Sequence, residues 1–255
     1  MALIIYPKSK QADGEFNGGE IKEKKPIGFP QDNGELQPYS NIFYWAHGWA
    51  EKDSIIAEHP HKGFEIITYV IQGQIEHFDN KYKIWRKLVA GDLQIIKAGN
   101  GITHTESMTQ NTHFFQIWFD PDISKSINSD AEYKNYPSDK FPIDIDNNFS
   151  TIIFKGDKAP LKMSSEGLTI KEISIGEGEH QLDLNKDKIY SCFLIEGILN
   201  IQNKMLNKGD FFIIKNQKNE IITGINNSRI FIVETPLKLS YKSYAEAQGN
   251  KTSGN

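Results

Sequence analysis

The chain has 255 residues, 38% of them apolar, with a formal net charge of -4 and a pI near 6.0. That supplies a real core for one large domain or two ordinary ones, and the absence of a long basic run argues against direct nucleic-acid binding. One cysteine, Cys192, excludes an intrachain disulfide and favours a reducing compartment.

The start, Met1-Ala2-Leu3-Ile4-Ile5-Tyr6, has no basic flank and too short an apolar run for a secretory signal. No segment approaches the ~20 apolar residues of a membrane span, so a cytoplasmic protein without membrane contact is expected. Alternating or β-branched and aromatic runs over 64–71, 74–78, 92–97, 112–119, 168–175, 190–195, 210–215 and 228–233 predict short strands. Gly, Asn and Asp between them suit antiparallel sheets closed into sandwiches or barrels. Helical signals are few; 130–136 and 241–247 are each predicted to make a turn or two. Cys192, between apolar residues, is predicted to be a buried small hydrophobe. Residues 121–148, rich in Ser, Asn, Asp, Lys and Pro, form a connection near the middle. The polar end, 248–255, is predicted to fray.

The two halves resemble diverged copies. Tyr69-Val70-Ile71-Gln72-Gly73 matches Phe193-Leu194-Ile195-Glu196-Gly197, and Gly91-Asp92-Leu93-Gln94-Ile95-Ile96-Lys97 matches Gly209-Asp210-Phe211-Phe212-Ile213-Ile214-Lys215. Two matches in the same order point to duplication. Counted from the shared glycines, the places of His59 and His61 fall near Asp183 and Asn185, and those of His104 and Glu106 near Ile222 and Gly224. The second half holds one histidine, His180, so one metal per chain is expected, in the first half.

The chemistry concentrates in His59-Pro60-His61 and His104-Thr105-Glu106. Residues two apart on extended backbone point the same way, and Pro60 favours extension before it. Gly99 and Gly101 let the chain turn before presenting the second pair. Three imidazole nitrogens and one carboxylate oxygen suit a divalent first-row transition metal and leave positions open for chemistry. Glu65 is a rival oxygen ligand, or a partner that orients a ligating ring. His77 is an outer-face residue or a pocket wall, and His47 and His113 are solvated or satisfied histidines. Trp45, Tyr44, Trp118 and Phe119 are an aromatic wall or simple core.

The segments His59-Pro60-His61-Lys62-Gly63-Phe64-Glu65, Gly73 with Glu76-His77, Gly91-Asp92-Leu93-Gln94, and Ala98-Gly99-Asn100-Gly101-Ile102-Thr103-His104-Thr105-Glu106 resemble the pirin family of the cupin superfamily. The resemblance implies an all-β fold of two tandem cupin barrels with few short helices. The N-terminal barrel (1–125) would carry the metal, a linker would span 126–148, and a barrel without ligands would span 149–240, followed by a helix and tail (241–255). It implies iron(II) held by His59, His61, His104 and Glu106; the residues themselves leave zinc, nickel, copper and manganese open. Bacterial members include enzymes that open quercetin with dioxygen, whereas nuclear members act as transcriptional co-regulators. Two functions are therefore expected of this chain. One is a dioxygenase acting on a phenolic substrate, with Glu106 as possible base; the other is a metal-dependent, redox-responsive module that docks a protein partner. The chain departs from the family at Lys62, where Arg is usual, and at Asn41-Ile42-Phe43-Tyr44-Trp45-Ala46-His47, where an acidic segment is usual.

Overall fold

A computed structural model of the chain describes residues 2–249. The polar residues beyond Gly249 lie outside the described residues. The chain divides into two compact units. The first comprises Gln11–Lys140, Met163–Ser165 and the segment from Leu239; the second comprises Phe141–Lys162, Glu166–Lys238 and the segment up to Lys10. No helix among the described residues is long and apolar enough to cross a membrane.

The strands in chain order begin with β1 (Ala2–Tyr6), β2 (Ala12–Phe16), β3 (Ile21–Ile27), β4 (Ile42–Ala50), β5 (Ser54–His61) and β6 (Glu65–Gln72). They continue with β7 (Gln74–Asp79), β8 (Arg86–Val89), β9 (Leu93–Lys97), β10 (Ile102–Met108), β11 (His113–Phe119) and β12 (Glu132–Tyr136). The later strands are β13 (Ile143–Asp146), β14 (Phe149–Lys155), β15 (Thr169–Ile175), β16 (Gly178–Asp183) and β17 (Lys188–Glu196). Then follow β18 (Ile198–Ile201), β19 (Lys204–Asn207), β20 (Phe211–Lys215), β21 (Asn219–Gly224) and β22 (Ser228–Pro236). Two one-turn helices are α1 (Ile123–Ser126) and α2 (Tyr244–Ala247).

Each unit is a jelly roll of two antiparallel sheets. In the first, a seven-stranded sheet ordered β12-β9-β6-β11-β4-β3-β2 accompanies a four-stranded sheet ordered β5-β10-β7-β8. In the second, the orders are β1-β20-β17-β22-β15-β14-β13 and β16-β21-β18-β19. The copies match strand for strand, as the repeated motifs predict, and the all-β double barrel stands. The shared glycines have a physical reason. Gly73 (φ +81°) and Gly197 (φ +92°) adopt left-handed backbone where the chain passes from the seven-stranded to the four-stranded sheet, and a Cβ there would collide with Thr112 or Ser228 at the start of the neighbouring strand.

Two elements differ from the sequence reading. Residues 130–136 were expected to be helical; instead β12 pairs with β9, which buries Tyr133 and Tyr136. Packing those two rings on an open sheet edge outweighs a weak helical pattern. Second, β1 pairs with β20 in the second unit, although sequence order groups it with 1–125. The turn predicted at 241–247 is α2, closed by a capping box between Ser243 and Glu246. Cys192 is buried, and burial pushes its thiol up.

The duplication also places the equivalent positions. His104 lies opposite His59 and Asp79; Ile222 lies opposite His180 and Ile201. Gln74 and Ile198, each just after a shared glycine, accept from Thr109 N and Ile225 N, so Ile222 is the counterpart of Glu106 and Glu220 that of His104. The place of His59 is therefore taken by Leu182, opposite Glu220, and not by Asp183. The count from the glycines overshoots there by one because β5 carries an extra residue. Leu182, Leu199, Ile201 and Ile222 belong to the second unit's apolar core.

Candidate metal centre

The site sits inside the first unit, on the four-stranded sheet. On β10 the side chains alternate, so Ile102, His104, Glu106 and Met108 are buried and the residues between them are partly exposed. Its partner β5 cannot follow that alternation throughout. His59 lies opposite His104, but Ile56 lies opposite Glu106, so three steps on β5 face two on β10. This bulge at Ala57-Glu58 reverses the parity of the strand. Without it, Ser54 and Ile56 would face inward and both histidines would face out. The bulge also supplies a partner, since the carbonyl of Ala57 lies 2.8 Å from His59 Nδ1. A carbonyl only accepts, so the ring proton sits on Nδ1 and His59 Nε2 is bare.

His59, His61 and His104 each offer a ring nitrogen within 4.8 Å of one another, and His77, His104 and Glu106 form a second, overlapping set. The four predicted ligands are thus not gathered as one set. Glu106 joins the others through His104, because its oxygens are engaged elsewhere: Oε1 accepts from Gln94 Nε2 at 3.0 Å and Oε2 from Gln116 Nε2 at 3.1 Å. Three of the four are strongly buried, and His59 is the least buried.

Electrostatics keep the donors ready. Burial, reinforced by the charge of His59, holds His61 down at about 3. Burial likewise holds His77 down at about 4 and lowers His104 further, with His61 and His59 adding to the effect. The rings are therefore neutral near pH 7, as metal ligation requires. Burial raises the Glu106 carboxyl, against the lowering effects of His59, Gln116 and Gln94. The donor set fits a cation. His61 Nε2 and His104 Nε2 stand 2.9 Å apart, and two metal–nitrogen bonds of ~2.1 Å at right angles span roughly 3 Å.

Around the donors lies an aromatic wall. Trp118 meets His61 edge-on at 4.8 Å between centroids and Tyr44 at 5.4 Å. Phe29 stacks on Tyr44 at 4.5 Å. Trp118 Nε1 donates to Gln116 Oε1 at 3.2 Å, which ties the wall to the amide that holds Glu106. Trp45 does not line the site; it packs edge-on against Phe115 on the opposite face of the sheet. Glu65 is also turned away. It accepts from Ser164 N, Ser165 N and Ser165 Oγ at 2.7 to 2.9 Å. His47 and His113 stack on each other, at 5.5 Å. His77, by contrast, is fully buried beside His104.

The amides Gln94 and Gln116 and the acid Asp79 are absent from the sequence reading. Gln94 was within sight, inside the Gly-Asp-Leu-Gln motif, and Gln116 alternates with Phe114 and Trp118 on β11.

A family model described as pirin matches residues 29–119. A pirin-like protein of Caulobacter vibrioides is 30% identical over 180 residues, 69% of this chain and 75% of that protein. The quercetin 2,3-dioxygenase of Escherichia coli is 46% identical over 70 residues, 25% of this chain and 29% of that protein. Among solved structures, the bacterial pirin YhhW from Escherichia coli in complex with nickel(II) has a TM-score of 0.76 at 18% identity, covering 92% of this chain and 99% of that one. Fold, motif order and a relative aligned over most of its length agree: this chain belongs to the pirin family.

Proposed function

We propose that the chain is a metal-dependent dioxygenase that opens a flavonol or related phenol, with iron(II) held by His59, His61, His104 and Glu106. The carrying observation is the convergence of three imidazoles, those of His59, His61 and His104, beside Trp118, with Glu106 next to His104. When bound, the metal supplies a Lewis acid that acidifies a phenolic hydroxyl and keeps it close to dioxygen.

The chain's own residues do the rest. Trp118, Tyr44 and Phe29 offer a flat apolar wall that fits an aromatic ring and excludes water. Glu106, its carboxyl raised by burial, is suited to accept the substrate's proton. Gln94 and Gln116 keep its two oxygens oriented. The quercetin dioxygenase relative supports this choice of substrate class. Iron-loaded protein should consume oxygen in the presence of quercetin, and His104→Ala should not. Absence of uptake by fully iron-loaded wild type rejects the substrate.

A second reading keeps the metal and replaces catalysis with protein docking. The β7–β8 hairpin favours it, since Ile84 and Trp85 are 58% and 49% exposed there. A captured partner that is released on chelation supports docking, and unchanged capture by His104→Ala argues against it.

A further inference from the structure

The inward series of β7 is Ile75, His77 and Asp79, all fully buried. His77 is stacked on Tyr133 at 4.1 Å, nearly parallel. Its Nε2 lies 3.1 Å from Asp79 Oδ2, and its Nδ1 lies 3.4 Å from His104 Nδ1. We propose that His77, backed by Asp79, is a positioning residue of the metal centre that fixes the tautomer of His104 and so aims a bare Nε2 at the ion. The inference rests on His104 being a metal donor.

The direction of each hydrogen bond settles the next. Asp79 acts as an acceptor throughout: Oδ1 takes Lys81 N at 3.0 Å and Tyr82 N at 2.6 Å, and Oδ2 takes Arg86 Nη1 at 3.5 Å. The proton between Asp79 and His77 therefore sits on His77 Nε2. A neutral imidazole has one ring proton, so His77 Nδ1 is a bare acceptor. It can pair with His104 only if His104 Nδ1 donates. That leaves His104 Nε2 bare, facing His61 Nε2 at 2.9 Å. The opposite tautomer would set two lone pairs against each other across 3.4 Å in a buried site.

The second unit serves as an internal control. In the first unit His77 lies opposite Glu106 and Asp79 opposite His104. In the second, Ile201, four residues after Gly197 as His77 is four after Gly73, lies opposite Ile222, and by the same count Asn203 stands in the place of Asp79. The fold therefore has no need of the His–Asp pair; the pair occurs in the barrel that has the donors.

The test is long-range 15N–1H NMR of the histidine rings in metal-free protein, for wild type, His77→Leu and His77→Gln. Wild type should show His104 protonated on Nδ1 alone. His77→Leu should show mixed tautomers, and His77→Gln, whose amide oxygen accepts, should restore the single form. Zinc affinity, measured by chelator competition, should fall ~10–100-fold in His77→Leu and recover to within about threefold in His77→Gln. Wild-type His104 protonated on Nε2, or an unchanged tautomer and affinity in His77→Leu, overturns the proposal. So does a second zinc equivalent lost with His77→Leu, which would make His77 a ligand. The wild-type spectrum alone decides the tautomer if His77→Leu does not fold. Zinc binding by His104→Ala equal to wild type would instead defeat the ligand reading, and the tautomer result would stand.

Discussion

His59 faces His104 across β5 and β10, while Ile56, three residues earlier, faces Glu106, two residues later. A bulge absorbs the extra residue, and that keeps the histidine pair facing inward. Deleting Glu58 should leave His59 two positions after the inward Ile56, so simple alternation then holds His59 and His61 on the inner face without a bulge. The expected outcome is a folded, mostly β protein by circular dichroism that still retains zinc or nickel through gel filtration. Loss of the metal by a folded deletion variant would show that the bulge, and not strand parity alone, sets the site.

Gln94 links three buried groups. Its Nε2 donates to Thr68 Oγ1 at 3.1 Å and Glu106 Oε1 at 3.0 Å, and its Oε1 accepts from Tyr133 at 3.0 Å. Gln94→Leu strands a carboxylate oxygen and a phenol. Urea denaturation of the metal-free variant should show a loss of about 2–4 kcal/mol, and its metal affinity should fall at least ~10-fold.

Glu23 is a buried acid outside the ligand set. Burial lifts its carboxyl to about 7, against the lowering effects of Lys25 and Tyr44 and with Asp32 and Glu106 pushing the same way as burial. Tyr44 donates to it at 3.1 Å. Between roughly pH 4.5 and 7 the folded state holds a proton that the unfolded chain has lost, so this group's contribution falls as pH rises through that window. Glu23→Gln keeps an acceptor for Tyr44 and removes the penalty. It should be more stable than wild type by about 2–3 kcal/mol at pH 8 and nearly equal at pH 4.5, by urea titration at both values. Equal stabilities at pH 8 would show that Glu23 is ionised at little cost.

The repeated glycines should answer alike. Gly73→Ala and Gly197→Ala each add a strained φ and a collision with Thr112 or Ser228, for a loss of roughly 2–3 kcal/mol. Gly18→Ala is the comparison. Its φ is +65° but nothing lies within 4 Å of the added Cβ, so only the ~1 kcal/mol left-handed cost remains. Thermal denaturation of the three variants checks the order.

The histidines and Glu106 are legible in sequence because ligand types spaced by two on extended chain declare both identity and face. The duplication is legible because tight turns leave glycine little choice, as at Gly73 and Gly197. The bulge is not, since Ser54–His61 contains no residue that announces an extra step, and so the equivalence of His59 to Leu182 is missed by one residue. Gln94 and Gln116 look like outward polar residues in their strands until the carboxylate they face is known. Glu65 and Trp45 are misleading for the same reason: residue type does not reveal which side of a sheet a side chain takes. β12 is a tertiary choice, made by the open edge of β9 rather than by its own pattern.

Strand β1 lies along β20, about 200 residues further on. At the usual pace of a ribosome, that partner emerges about 10–40 s later. During that interval Leu3 and Ile5, which finally pack on the second unit's apolar core, belong to a nascent segment without its sheet. The barrel that holds the histidines has all its strands by Tyr136 and so need not wait.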